Sequence, residues 1–360
     1  MRIFVTHICP KDKIIEYGLS ISASNFNYNL IEGGGFDKVF SIYPGFSRGK
    51  LDKVDNEQFE AVYSSWRSKG GLRQRLARFR EQISLFKKIK SGSDVWFYNM
   101  TTINALLIGL LKVFKPSCGL NIIMLDYDPD QWFPRMMLPL INSLNGRICL
   151  STYKGFNRDN YVCLPGVVPK HQKQYSKIIK EVKKEFLLSG ALKENITMHS
   201  MVLDAFAEMP DLTLHISGSL IDHKEKVMEY SKKYPNIIFH GKMPFDEFER
   251  LLEEVPFSLN TRKPTAIENK CNFPSKVIEA LCNNRIVIST IEYPQIESFN
   301  YLHVGSDLES FIKDIRRIAD MPQSDLLNYA NQGEKAIELY SPLRWFEEMS
   351  RLENHKKRNN

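Results

Sequence analysis

Short apolar runs, rich in β-branched and aromatic residues, alternate with helix-length segments along the whole chain, in two series parted by Leu164-Pro165-Gly166-Val167-Val168-Pro169. In the first series, strands are expected at 2–8, 38–43, 94–98, 120–125 and 146–151, with helices over 22–31 and 104–114. A Pro-rich segment carrying Trp132 and Phe133 separates the last two strands. In the second, strands are expected at 185–189, 212–217, 237–240, 257–260 and 286–290, and helices at 195–209, 223–234, 245–253 and 274–282. Helices at 308–318 and 324–339, and one opened by Pro342, close the chain. Strands separated by helices pair in parallel, because a tight hairpin cannot join them, and parallel sheets need cover on both faces. The expected architecture is α/β: two doubly wound, Rossmann-like domains at 1–165 and 166–340, facing across a cleft. A terminal helix and basic tail at 341–360 is long enough to return to the first domain.

Charge is unevenly placed. Residues 1–165 hold 22 Lys and Arg against 14 Asp and Glu, whereas 166–360 hold 27 against 28. Within the first half, 67–90 carries nine basic residues against the single acid Glu81. Leu72, Leu76, Phe79, Ile83 and Phe86 recur there at steps of three and four, which puts them on one helical face. Such a helix either packs its stripe on its own domain or lies against an anionic membrane. Nucleic acid is not expected, because no recognition motif accompanies the charge. The six cysteines stand singly without Cys-x-x-Cys, so buried reduced thiols are expected rather than a disulfide framework or a thiolate metal cluster. No apolar run approaches the roughly 20 residues of a spanning helix, and the first residues lack the apolar core of a signal peptide. A cytoplasmic protein is expected, free or peripheral at the inner face of the membrane.

Open parallel sheets bind ligands beyond the carboxyl ends of their strands. In the second series those positions hold Ser189-Gly190, Ser217-Gly218-Ser219, the residues after Asn260, and Phe273-Pro274-Ser275-Lys276. Pro274 or Ser275 can start a helix whose first amides face outward, a natural anion site. Lys276 and Arg262 can add charge-assisted bonds to a diphosphate, and Glu279 can accept hydroxyl hydrogens from a ribose. Capping alone also explains a Pro-Ser-Lys helix start.

The runs Asn260-Thr261-Arg262-Lys263-Pro264, Phe273-Pro274-Ser275-Lys276-Val277-Ile278-Glu279-Ala280-Leu281 and Arg285-Ile286-Val287-Ile288-Ser289-Thr290 together resemble a known donor-site signature. It is that of the retaining GT-B glycosyltransferases of family four, in the bacterial branch that builds capsular, exopolysaccharide and lipopolysaccharide chains. Leu187-Leu188-Ser189-Gly190-Ala191 and Ile237-Ile238-Phe239-His240-Gly241-Lys242 extend the resemblance. It implies that Glu279 binds the donor ribose, that Ser275 and Lys276 lie by the diphosphate, that Gly241, Lys242 and Met243 lie beside the nucleobase, and that Arg262 is close to phosphates or sugar. It also implies a nucleotide-diphosphate sugar as donor, a saccharide or lipid-linked saccharide as acceptor, retained anomeric configuration, and no metal or other cofactor. Two positions depart from the pattern. Cys271 stands where the family has a second glutamate, leaving Glu268 as the nearest carboxylate, and Ala191 stands where it has an arginine, with Lys193 close by.

In the first half, Asp126 follows a strand and can orient an acceptor hydroxyl, or serve as a surface or capping residue. Gly33-Gly34-Gly35 lets a backbone approach a phosphate or acceptor, or is a plain loop. Trp132 and Phe133 stack on sugar or lipid, or pack in a core. The histidines lack ligand spacing for a metal, and no Gly-x-Gly-x-x-Gly follows the first strand. Besides a glycosyltransferase, a nucleotide-sugar epimerase on the same fold and a non-catalytic nucleotide-sugar-binding scaffold remain open.

Overall fold

The computed structural model describes residues 1–11, 14, 20–43, 59–63, 72–125, 127–128, 130–151, 160–169 and 177–359, with backbone alone at 59–63, 72–78, 245, 271 and 355–359. The chain divides into two units: Met1–Lys170 with Lys270–Asn272 and Tyr340–Asn360, and His171–Asn269 with Phe273–Leu339.

The N-terminal unit is built on β1 (Arg2–Thr6), β2 (Lys38–Tyr43), β3 (Phe59–Tyr63), β4 (Asp94–Tyr98), β5 (Gly119–Met124), β6 (Gly146–Cys149) and β7 (Tyr161–Cys163), in the order β3-β2-β1-β4-β5-β6-β7. All pairings are parallel. The central strands carry apolar side chains on both faces, as strands covered on both sides must: Val95, Trp96 and Phe97 of β4 are fully buried. One face packs Leu85, Leu107, Leu111 and Ile141 from the helices Leu72–Lys88, Thr102–Phe114 and Trp132–Asn142. On the other, the helix Pro342–Asn359 comes back from the chain terminus. Its Trp345 is buried and donates to the Gly166 carbonyl at 2.8 Å, while Glu353 accepts from both Arg2 and Trp96.

The second unit contains β8 (Glu185–Leu192), β9 (Thr213–Leu220), β10 (Ile237–Gly241), β11 (Phe257–Asn260), β12 (Ile286–Ser289) and β13 (Leu302–His303), ordered β10-β9-β8-β11-β12-β13 and all parallel. Both sheets thus begin with the 3-2-1-4-5-6 order of doubly wound nucleotide-binding folds. The reversal of strand order falls between β8 and β11 in this unit.

The structure departs from the sequence expectations in several places. Strands β3, β7 and β13 add to those expected; the last two are too short for a period to show. The Pro-rich segment is a helix, because Pro134 lies in its first turn, where an amide hydrogen has no partner, leaving only Pro139 inside. The helix expected at 195–209 breaks at Met198, in a left-handed conformation, and that at 324–339 splits into Gln323–Leu327 and Gly333–Tyr340. At Gly33 and Gly35 a Cβ would collide with Pro342 or Phe346, so small size there admits the returning helix. The 67–90 helix runs Leu72–Lys88 and buries Glu81, Gln82, Leu85 and nearby Ile89; of the expected line, Phe79 is exposed, Ile83 is half-buried, Phe86 is half-buried against the core, and the side chains of Leu72 and Leu76 lie outside the described residues. Its own domain takes up that side.

Candidate functional site

At the strand reversal of the second unit, backbone and charged side chains converge. β8, β9 and β10 each carry a glycine with positive φ in their C-terminal part, two residues before the end of β8 and β9 and at the end of β10: Gly190 (109°), Gly218 (131°) and Gly241 (70°). Gly190 and Gly218 are register partners, and a Cβ on Gly218 would lie 2.0 Å from the Gly190 carbonyl oxygen, so only glycine fits there. Three neighbouring strands therefore present bare backbone, the surface against which a phosphate or ribose can approach closely.

The helix Ser275–Cys282 begins beside this platform. Pro274 at its N-cap has no side-chain acceptor for the first-turn amides, and Ser275 is exposed at the helix start. Lys276 Nζ donates to the Ser189 carbonyl at 3.1 Å, tying the helix start to the end of β8. Burial, and then the Arg262 charge, push the Lys276 ammonium down to about 8. Glu279 lies one turn further along. Burial and the Glu249 carboxylate raise it to about 7, against the opposing pull of Lys276. The site holds charges that water would normally screen, which favours a charged ligand able to pair with them.

Arg262 is buried just beyond β11. Its carbonyl accepts from Thr290 Oγ1 at 2.6 Å and its Nη1 donates to Asn269 Oδ1 at 3.4 Å. Beneath it, Asn260 donates to Tyr293 Oη at 2.6 Å and to Ser289 Oγ at 3.2 Å, and burial pushes the Tyr293 phenol up to about 12, so it stays a neutral donor. This network fixes the turn that carries Arg262.

Arg262, Lys276, Glu279, Ser275, Gly190, Gly218 and Gly241 are thus grouped on elements at one edge of the sheet. Lys242 is exposed after Gly241, whereas Met243 packs on Leu187, Leu251, Leu252 and Val255. Glu268 is half-buried in the short helix Glu268–Cys271, next to the Asn269 that holds Arg262. Asp126 lies outside the described residues. Trp132 is largely exposed rather than in a core and meets Phe133 edge-on at 5.9 Å.

Sequence reasoning missed Glu249, the Asn260–Ser289–Tyr293 network, and a stacked pair, His215 and His240, whose ring nitrogens are 3.0 Å apart. Burial lowers both imidazoles, and His240 lowers His215 further. The register of parallel strands creates these contacts, and nothing local in the sequence marks them. A cavity of about 580 Å³ in the same unit is lined by Glu194, Asp222 and Asp307 against Lys263. That excess of carboxylates suits an anionic ligand poorly, whereas the glycines and Lys276 offer backbone and positive charge.

No protein-family model matches the chain, and no curated protein sequence matches it. Solved structures do. A lipopolysaccharide outer core galactosyltransferase, WaaB, superimposes with a TM-score of 0.67 at 16% identity, over 99% of this chain and 100% of that one. Sucrose-phosphate synthase from Thermosynechococcus elongatus gives 0.66 at 10% identity over 100% of both chains. An α,α-trehalose-phosphate synthase (UDP-forming) from Burkholderia xenovorans, in complex with glucose-6-phosphate, gives 0.66 at 10% identity over 98% of this chain and 99% of its own. The chain therefore has the two-domain α/β fold of the GT-B glycosyltransferases, along its full length.

Proposed function

We propose that the chain is a retaining glycosyltransferase that moves a sugar from a nucleotide-diphosphate sugar to a lipid-linked saccharide, in the building of a capsular polysaccharide or lipopolysaccharide at the inner face of the membrane. The observation that carries this reading is the meeting of a glycine platform with Arg262, Lys276 and Glu279 at the strand reversal of the second unit. The leaving diphosphate gains negative charge as the sugar departs. Amides at the start of the helix, Arg262 and Lys276 offer preorganised positive charge for it. These cations stand where a metal ion would otherwise serve, so no metal is required. Glu279 accepts from the ribose hydroxyls, Gly241 and Lys242 flank the base, Glu268 faces the transferred sugar, and the N-terminal unit, with Asp126, carries the acceptor.

Ala191 favours a second reading. Its exposed methyl replaces the arginine of the resembled family, which suits a nucleotide-sugar-binding scaffold subunit. Calorimetry of the full chain against UDP, GDP, ADP, CMP and their sugars tests the donor site. One preferred nucleotide is expected, lost in Lys276→Ala and Glu279→Ala, because binding to the folded state is what these residues supply. No nucleotide binding by the wild type overturns the assignment. Binding without transfer to any lipid-linked acceptor supports the scaffold, and donor interconversion without acceptor supports an epimerase.

A further inference from the structure

The ends of β11 and β12 carry a run of buried polar side chains: Asn260, Thr261, Ser289 and Thr290, with Arg262 buried beside them. A buried guanidinium is ordinarily matched by a carboxylate, because an unpaired charge in a protein interior is costly. Arg262 has no such match. Among the described residues its guanidinium makes no ion pair and a single hydrogen bond, the 3.4 Å contact with the neutral Asn269.

The groups that hold its turn are neutral as well. The Arg262 N–H donates to the Asn260 carbonyl at 3.1 Å, and the Asn260 side chain is pinned in turn by the Tyr293 and Ser289 hydroxyls. Tyr293 ties this cluster to the helix start, since its ring meets Phe273, the residue before Pro274, at 5.0 Å. Its own N–H donates to the Tyr301 hydroxyl at 3.0 Å, which fixes the ring from the other side of the chain. The Arg262 charge reaches this cluster: burial raises the Tyr293 phenol to about 12, and the guanidinium pulls against that rise. Tyr293 therefore stays uncharged at neutral pH. An aspartate at 260 could accept from the same two hydroxyls and hold the same turn, but it would set a negative charge two positions before Arg262 and compete there with a phosphate.

We infer that Asn260, Ser289 and Tyr293 are positioning residues, an uncharged seat that fixes Arg262 while leaving its guanidinium unneutralised for the diphosphate of the donor. The inference rests on the proposed donor site and adds to it the residues that hold its central cation and keep it free. Neutrality is the working property of the seat, because a charged partner would anchor the arginine equally well and remove its use.

Calorimetry of the full chain with UDP, GDP and ADP, and then with the nucleoside of whichever diphosphate the wild type prefers, tests this. Asn260→Asp should weaken the diphosphate about tenfold, the effect of one opposing charge near the guanidinium, and leave the nucleoside unchanged. Tyr293→Phe keeps the ring on Phe273 and should weaken the diphosphate about three- to tenfold, the worth of one buried hydrogen bond, again with the nucleoside unchanged. Both losses should vanish in an Arg262→Met background, since a residue that acts through Arg262 then has nothing left to act on. Nucleoside binding shows that each variant is folded, and if Asn260→Asp does not fold, Tyr293→Phe and Ser289→Ala carry the test. Losses that strike the nucleoside equally, or that persist with Arg262→Met, mark a merely structural role and overturn the inference. A wild type that binds a diphosphate no less tightly than Asn260→Asp does overturns the seat alone, whereas a wild type that binds none of the three nucleotides overturns the donor site and the seat with it.

Discussion

Replacing Glu279 by Gln should strengthen the empty protein and weaken its complex, and pH should separate the two effects. Burial beside Glu249 holds the Glu279 carboxyl at about 7 instead of its ordinary 4.5. Ionising a carboxyl so displaced costs about 3 kcal/mol relative to ionising it in water. Below pH 4.5 the group is protonated in both folded and unfolded chains, and no cost arises. Between 4.5 and 7 the unfolded chain releases its proton first, so stability falls as pH rises, and above 7 the full cost is present. Glutamine has the same shape and no charge to desolvate. Glu279→Gln should therefore melt close to the wild type at pH 4.5 and above it at pH 8, by about 4–8 °C if about 2 kcal/mol of the cost is relieved in a domain of this size. In the complex the order reverses. A carboxylate bonded to ribose hydroxyls is worth more than a neutral amide by about 1–2 kcal/mol, so nucleotide affinity should fall about tenfold. Differential scanning calorimetry at the two pH values, with and without nucleotide, reads both effects. A melting difference that does not change with pH would refute the argument, since a neutral packing effect has no reason to follow the proton.

Other perturbations report on the same site. Gly218→Ala forces a Cβ to within 2.0 Å of the Gly190 carbonyl oxygen at φ 131°, and should cost about 3 kcal/mol or more, whereas Gly190→Ala meets nothing within 4 Å and should cost about 1–2 kcal/mol for its φ alone. Equal losses of melting temperature would contradict the platform geometry. Arg262→Met should weaken nucleoside diphosphate binding about 10- to 100-fold, leave nucleoside binding alone, and let Lys276 titrate above about 8, because the like charge is gone; titrations with UDP and uridine against pH measure this. Sugar transfer should persist in EDTA without added magnesium, and a need for the ion would remove the cation role given to Arg262 and Lys276.

The two series of strands and helices are legible in the residues alone, because a strand buried on both faces must read as an unbroken apolar run such as Val95-Trp96-Phe97 or Ile286-Val287-Ile288. Local rules also single out Arg262 after a strand, and Lys276 and Glu279 in a helix opened by Pro274, as candidate charges. Local rules could not show that Gly33 and Gly35 make room for Phe346, hundreds of residues away in the chain, or that a segment with two prolines is helical. Nor could they show that burial, reinforced by Glu249 and Arg262, displaces the titration of Glu279 and Lys276. Those facts depend on which strands become neighbours. Strand order brings Gly190 opposite Gly218 and lays Lys276 against Ser189 of β8. Periodicity is a property of a segment, so a sequence displays it; desolvation and charge coupling are properties of a neighbourhood, and only the packed structure creates one.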